Sequence, residues 1–240
     1  MTAALLTHPL FAGFTGAFEF MFSKQESTVT GGRKVGGIEQ VLELAWTQIE
    51  VSLLALAVAL LIAVPLGLYF GHKGTGELLA VGLGNAGRAV PELALIAFVA
   101  AIIGVGIVPL TGALALLGIP PILTNTFVGI RQVDRATVDA ARGVGMTEPE
   151  IVRKVELPLA VPSIMTGVRG ATVNIIATAT IAPLVGVVTL GDFILGENVY
   201  GVDGVVAGAL CTAILALIFE FALAGLQRRL TSKGLLLQAQ

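Results

Sequence analysis

Charge is scarce in this sequence: 12% of its 240 residues are Asp, Glu, Lys or Arg, whereas 55% are hydrophobic. A soluble domain carries about 25% charged residues, because its outer faces must meet water, so a water-soluble globule is excluded. The 14 basic residues form no run interleaved with aromatics and the formal net charge is −2, which leaves nucleic acid no electrostatic reason to bind. The single cysteine, Cys211, cannot form an internal disulfide, and it stands in an apolar run that says nothing of redox compartment. With His8 and His72 as the only histidines, the sequence holds no metal-ligand cluster, and no cofactor is expected on this chain. Reacting groups are missing as well. There is no His-Glu-x-x-His, no serine with a paired histidine in an apolar segment and no aspartate pair within one, which argues against an intramembrane protease or lipid transferase. Nor is there a Gly-x-x-x-x-Gly-Lys-Ser/Thr phosphate loop; Gly71-His72-Lys73-Gly74 reads as a short turn. Any ATP used must be hydrolysed by another chain.

What the sequence does have is long apolar runs, several beyond the roughly 18 residues that mark a bilayer span. They predict an all-α polytopic membrane protein with five spans, at about 46–70, 77–108, 110–130, 159–185 and 205–226. Trp46 and Tyr69, 23 residues apart, stand where interfacial aromatic belts would lie, roughly 35 Å apart at the helical rise. The second run is interrupted by Arg88, Pro91 and Glu92 and reads as one broken crossing. Backbone freed by Pro91 at membrane depth is tolerated only beside protein or a water-filled cavity, which puts a candidate transport path there. The third span is expected to bend at Pro120-Pro121. Residues 1–37 form an N-terminal extension: Phe11, Phe14, Phe18 and Phe22 share one helical face, the pattern of a helix lying in the membrane interface, and Thr28–Gly37 reads as a flexible glycine-rich link. The membrane-spanning body covers 38–233, and 234–240 is a tail.

The connections after spans one, three and five contain nine Lys and Arg residues, and the two opposite connections contain none. The positive-inside rule therefore expects the 131–157 loop and the C-terminus in the cytoplasm, with the chain in a cell membrane. In that loop Asp134 is a good N-cap for a helix through Val144, with Gly145 placed to end it. Thr147 and Glu150 make a capping box for a second helix, and Pro158 is expected to stop it. Ala140 and Ala141 are small enough for another surface to approach closely, while Arg135, Asp139 and Arg142 supply polar contacts. Local physics alone fits a docking knob and a solvated connector equally well.

A longer pattern discriminates. Asp139-Ala140-Ala141, three residues, Gly145, nine residues, Val155, one residue and Leu157-Pro158 resembles the signature loop of ABC-importer permeases, with Asp in place of Glu and Val in place of Ile. Gly84-Asn85-Ala86-Gly87-Arg88-Ala89-Val90-Pro91, the stretch Val138–Thr147, Val155–Ala160 and Ala177-Thr178-Ala179-Thr180 extend the resemblance over about residues 45–233. They are most similar to the osmoprotectant branch, permeases for glycine betaine, carnitine, choline or proline betaine. The resemblance implies a five-helix type I importer core with a cytoplasmic coupling helix. It also implies two cytoplasmic ATP-binding subunits, an extracytoplasmic substrate-binding protein and a second permease, identical or not. A methionine-type or other amino-acid permease is the nearer alternative.

Polar groups inside spans are the pathway candidates. With Pro91 these are Asn174, Thr178 and Thr180, although Thr can satisfy itself on the preceding turn and Asn can bond a neighbouring helix. Arg88 and Glu92, one turn apart, read better as a structural pair, and Arg169 is expected to snorkel or to find an acid on another helix. The outer connection, with Asp192, Glu197 and Asp203 and no base, would favour cationic or zwitterionic solutes or a basic patch on the binding protein, or is simply solvated.

Overall fold

The computed structural model describes residues 9–27, 29, 31–78, 80, 82 and 89–231. Helix α1 (Pro9–Phe22) leads into a two-stranded antiparallel ribbon, β1 (Lys24–Glu26) and β2 (Lys34–Gly36). Then come α2 (Ile38–Lys73), α3 (Glu92–Ile103), α4 (Ile107–Arg131), α5 (Arg135–Gly143), α6 (Glu148–Ile151), α7 (Leu157–Thr178), α8 (Gly191–Leu195) and α9 (Glu197–Leu230). A π-helical turn, Val152–Glu156, fuses α6 to α7, and a 3₁₀ segment, Ala179–Val185, prolongs α7. Among the described residues four helical runs are long and apolar enough to cross a bilayer: α2, α4, the run 148–185 and α9. The 12-residue α3 lies within the stretch expected as the broken second crossing, and Pro91 stands at its N-cap with φ −63° and ψ 122°. Residues 1–8, Gly84–Arg88 of the family-like stretch and the tail 234–240 lie outside the described residues.

In lipid there is no hydrophobic force between helices, so close packing of small residues has to hold them. The sequence supplies this on α2, where Ala55, Ala59, Ala63, Gly67 and Gly71 recur every four residues and are all buried. That stripe meets α4. A β-carbon at Gly67 would stand 2.6 Å from Thr126 Cβ, and one at Gly71 would stand 2.7 Å from Ile130 Cβ, so both must be glycine. On the other side of α4, Gly129 lies against Ser163 and Ala160 of α7, and Gly167 of α7 lies against the Pro121 carbonyl. The three helices form the main core, and α3 adds Ile96 and Val99 to it. α4 continues through Pro120-Pro121 as one helix.

Gln48, wholly buried on α2, joins this core to the end of the bundle where α8 lies. Its amide donates to the Ile176 carbonyl (2.9 Å) and its oxygen accepts from the Leu190 N–H (3.1 Å). One backbone group stands where α7 tightens into the 3₁₀ segment and one at the start of α8, and buried there each needs a partner from the protein.

Three expectations are corrected. The stretch expected as a flexible link contains β2, with Lys24 opposite Gly36 and Glu26 opposite Lys34; positive φ at Gly36 and Gly37 turns the chain from the ribbon into α2. Pro158 does not stop the loop helix. It sits in the first turn of α7, where its missing N–H costs nothing, so the π turn carries the backbone straight from loop into span. The first span starts earlier than its aromatic belts suggest, at Ile38, and the last starts at Glu197 with a kink at Gly201. In the N-terminal extension, α1 turns Ala17, Phe20 and Met21 inward against α8 and α9, while Phe14, Phe18 and Phe22 remain exposed on the opposite side.

Replacing Gln48 with leucine should strand both backbone groups and destabilise the protein by about 2–4 kcal/mol. A detergent-solubilised Gln48→Leu protein melting with the wild type would refute that role.

Candidate functional site

Asp134 caps α5, accepting from the Ala136 N–H at 3.0 Å. Helix α5 is two-faced: Val138 and Ala141 pack on Val133 and Ile151, whereas Arg135, Asp139, Ala140, Gly143 and Val144 face outward, Val144 with 77% of its surface exposed. One face of α5, with the small residues Ala140 and Gly143 at its centre, is thus left uncovered. Gly145 ends it at φ +88°, a conformation other residues rarely adopt, and donates to the Arg142 carbonyl at 2.9 Å. The turn then re-enters a helix at Thr147, whose N–H and hydroxyl both reach the Glu150 carboxylate, at 3.0 and 2.9 Å. Leu157 packs against the main core and Pro158 is exposed.

The polar residues of α5 are less free than their sequence suggests. Arg142 grips Glu148 with two bonds (Nε to Oε1 3.0 Å, Nη2 to Oε2 3.1 Å) and reaches Asp139 at 3.1 Å. The hydrogen bonds and charge of Glu148, with a smaller contribution from Asp139, raise the guanidinium above its ordinary pKa. Glu148 in turn meets His72 at the end of α2 (Nε2, 3.0 Å), whose Nδ1 meets Glu156 of the π turn at 2.7 Å. Sequence reasoning had no signal for His72 and Glu156, which are 84 positions apart.

The intramembrane candidates converge in part. The Thr178 hydroxyl is 2.8 Å from Glu92 Oε2 and 3.4 Å from Asn174 Oδ1, so α7 and the start of α3 share one polar cluster. Gly106 N–H bonds the Val185 carbonyl at 2.9 Å, tying the turn after α3 to the end of the 3₁₀ segment. Glu92, read from sequence as the mate of Arg88, is joined here by Thr178; Arg88 lies outside the described residues. Thr180 bonds the Ala177 carbonyl at 2.7 Å, and Pro91 adjoins the cluster in sequence. Arg169 finds its acid on another helix, Glu220 of α9, through Nε (3.1 Å) and Nη2, and bonds Gln227 at 2.7 Å. At the outer end Asp192 accepts from the Tyr200 hydroxyl at 2.5 Å, Asp203 lies against Gly16 and Glu197 is exposed. Among the described residues no cluster of metal-ligating side chains occurs.

A multi-span helical chain with a capped loop and a polar cluster between α3 and α7 has the build of a transport permease. Residues 59–232 match the family model for the binding-protein-dependent transport system inner membrane component, and the chain belongs to that family. It is a non-catalytic, multi-pass inner-membrane subunit. The chain is 39% identical over 197 residues to the choline transport system permease protein OpuBB of Bacillus subtilis, covering 82% of this chain and 91% of that one. It is also 39% identical over 186 residues to the glycine betaine/carnitine/choline transport system permease protein OpuCB of the same organism, covering 77% and 86%. To the osmoprotectant import permease protein OsmY of Salmonella typhimurium it is 37% identical over 177 residues, covering 72% and 75%. Among solved structures, an inward-facing methionine ABC transporter, MetNI, superposes with a TM-score of 0.69 at 21% identity, covering 81% of this chain and 98% of that one. The fold is thus the all-helical permease fold.

Removing one partner of the α7–α9 pair should be worse than removing both, because a lone charge is left in lipid. Arg169→Met is expected to melt well below the Arg169→Met/Glu220→Met double variant in detergent; equal melting temperatures would show the pair to be inconsequential.

Proposed function

We propose that this chain is the translocating subunit of an ABC importer for small quaternary-ammonium osmoprotectants such as choline, glycine betaine or carnitine. The observation that carries the substrate class is 39% identity, over most of both chains, to permeases named for choline and for glycine betaine, carnitine and choline. The MetNI likeness, at 21% identity, supports the fold and not methionine as cargo.

In this reading the C-terminus and the 131–157 loop lie in the cytoplasm, and α5 is the coupling helix of a five-helix core. The outward strip Arg135, Asp139, Ala140 and Val144 seats in a cleft of an ATP-binding subunit, where small side chains permit close approach. Two such subunits, a second permease copy or homologue and an extracytoplasmic binding protein complete the transporter. Glu92, Asn174 and Thr178, with Pro91 and Thr180 beside them, line the route. A carboxylate in the polar cluster between α3 and α7 suits a passing cation or the cationic end of a zwitterion.

The reconstituted complex, given a panel of labelled betaines, choline, carnitine and amino acids, is expected to import the quaternary-ammonium solutes; uptake confined to methionine would overturn the substrate reading. Gly145→Pro cannot reach φ +88° and lacks the N–H bonded to Arg142. It should insert normally yet hydrolyse ATP without import, and normal coupled import would refute the docking role of α5. Asn174→Leu should change the uptake kinetics, whereas unchanged kinetics would make Asn174 a packing residue.

A further inference from the structure

The contacts of His72 require a proton count that its surroundings make consequential. Its side chain is 11% exposed at the end of α2, with Nε2 3.0 Å from Glu148 Oε2 and Nδ1 2.7 Å from Glu156 Oε2. A neutral imidazole has one N–H and one lone pair. Between two ionised carboxylates that lone pair would abut an oxygen lone pair at hydrogen-bond distance. The geometry therefore needs one proton more than a neutral ring and two carboxylates supply, held either on the ring or on Glu156. The count is the same wherever the proton sits.

The two arms of this clasp differ. Glu156 is 1% exposed and its Oε1 has no hydrogen-bond partner among the described residues, so it has no path to turn to water if the ring releases it. It faces inward because of the π turn. The buried face of α7 runs Glu156, Ala160, Ile164 and Val168 in steps of four, while Ile151 lies five residues before Glu156, the spacing of a π turn. Glu148, by contrast, is 53% exposed and also holds Arg142 of α5. Asp139, Arg142, Glu148, His72 and Glu156 thus form one polar chain from α5 to the end of α2 and the foot of α7. Tyr69 and Lys73 of α2 and Pro149 and Val152 from the loop side line the cleft around His72. Loss of the proton sets the ring's lone pair against one carboxylate, and Glu148 is the arm free to leave. α5 would keep its apolar seat on Ile151 but lose its polar tie to α2.

We propose that His72 is a positioning residue for the coupling helix, joining Glu148 to Glu156 through one bound proton, so that import stays coupled to ATP hydrolysis while that proton is held. The proposal rests on the reading of α5 as the coupling helix. Since the clasp is complete only when protonated, coupling is strongest at low cytoplasmic pH and declines as pH rises.

The test uses the complete transporter in proteoliposomes, with labelled choline as the probe and the ratio of solute imported to ATP hydrolysed as the readout across cytoplasmic pH. The wild-type ratio should fall as pH rises. His72→Leu should lower the ratio at every pH, about 3- to 30-fold. In Glu156→Gln the amide N–H can donate to Nδ1 without an added proton, so the pH profile should flatten. A wild-type ratio in His72→Leu would overturn the positioning role. A flat wild-type profile, or a Glu156→Gln profile that follows the wild type, would overturn the proton requirement. Uptake of a solute other than choline would overturn the substrate reading alone, because the same ratio is then measured with that solute.

Discussion

The close approach of α2 to α4 is the constraint on which the rest of this molecule depends. Five small residues at four-residue intervals, from Ala55 to Gly71, let the two backbones meet, and at Gly67 and Gly71 even a β-carbon would collide with Thr126 or Ile130. In a lipid solvent this contact has to come from van der Waals packing and not from the exclusion of water. It also fixes where the C-terminal end of α2 emerges, two residues past Gly71, and so where His72 can meet the loop that follows α4. A shift of one turn along the stripe, 5.4 Å, would carry the imidazole out of reach of both Glu148 and Glu156.

Polar side chains then fasten what packing brings together, each where the backbone or a charge would otherwise lack a partner. Gln48 serves the carbonyl of Ile176 and the N–H of Leu190, Thr189 serves the carbonyl of Ala179 at 2.9 Å, and Glu220 neutralises Arg169. Such bonds add little where water competes, but in hydrocarbon the alternative is an unsatisfied group costing several kcal/mol. The first two lie where α7 changes from α to 3₁₀ geometry and where α8 begins, and the third pins the middle of α7 to α9.

Much of this was legible because hydropathy and caps are local properties. The long apolar runs, Asp134 as a cap, the Thr147–Glu150 box and Gly145 as a helix stop all follow from neighbours within a few positions. Long-range pairings were not legible: nothing near Gln48 points to Leu190, and nothing near His72 points to Glu156. Pro158 misled because a proline interrupts a helix interior but suits a first turn, and which applies depends on whether the preceding helix continues. The ribbon at Lys24–Gly36 was hidden by its glycines, which signal flexibility and tight turns alike. Proximity in sequence offered Arg88 to Glu92 but could not point to Thr178, which comes from the end of another helix.

The helix α7 connects the two functional readings. It begins at Glu156, inside the clasp that reaches α5, and carries Asn174 and Thr178 at its other end. Twenty-two residues separate Glu156 from Thr178, about 33 Å of helix, with α4 packed along it through Gly129 and Gly167. A rod supported in this way has little freedom to absorb a displacement by bending, because closely packed backbones move together or not at all. A push received at α5 and passed through Glu148 and His72 would therefore reach the Glu92–Thr178 contact as a rigid shift of α7. On the reading of α5 as a coupling helix, the side chains that hold its loop to the bundle would thus determine whether motion there is felt at the Glu92–Thr178 contact.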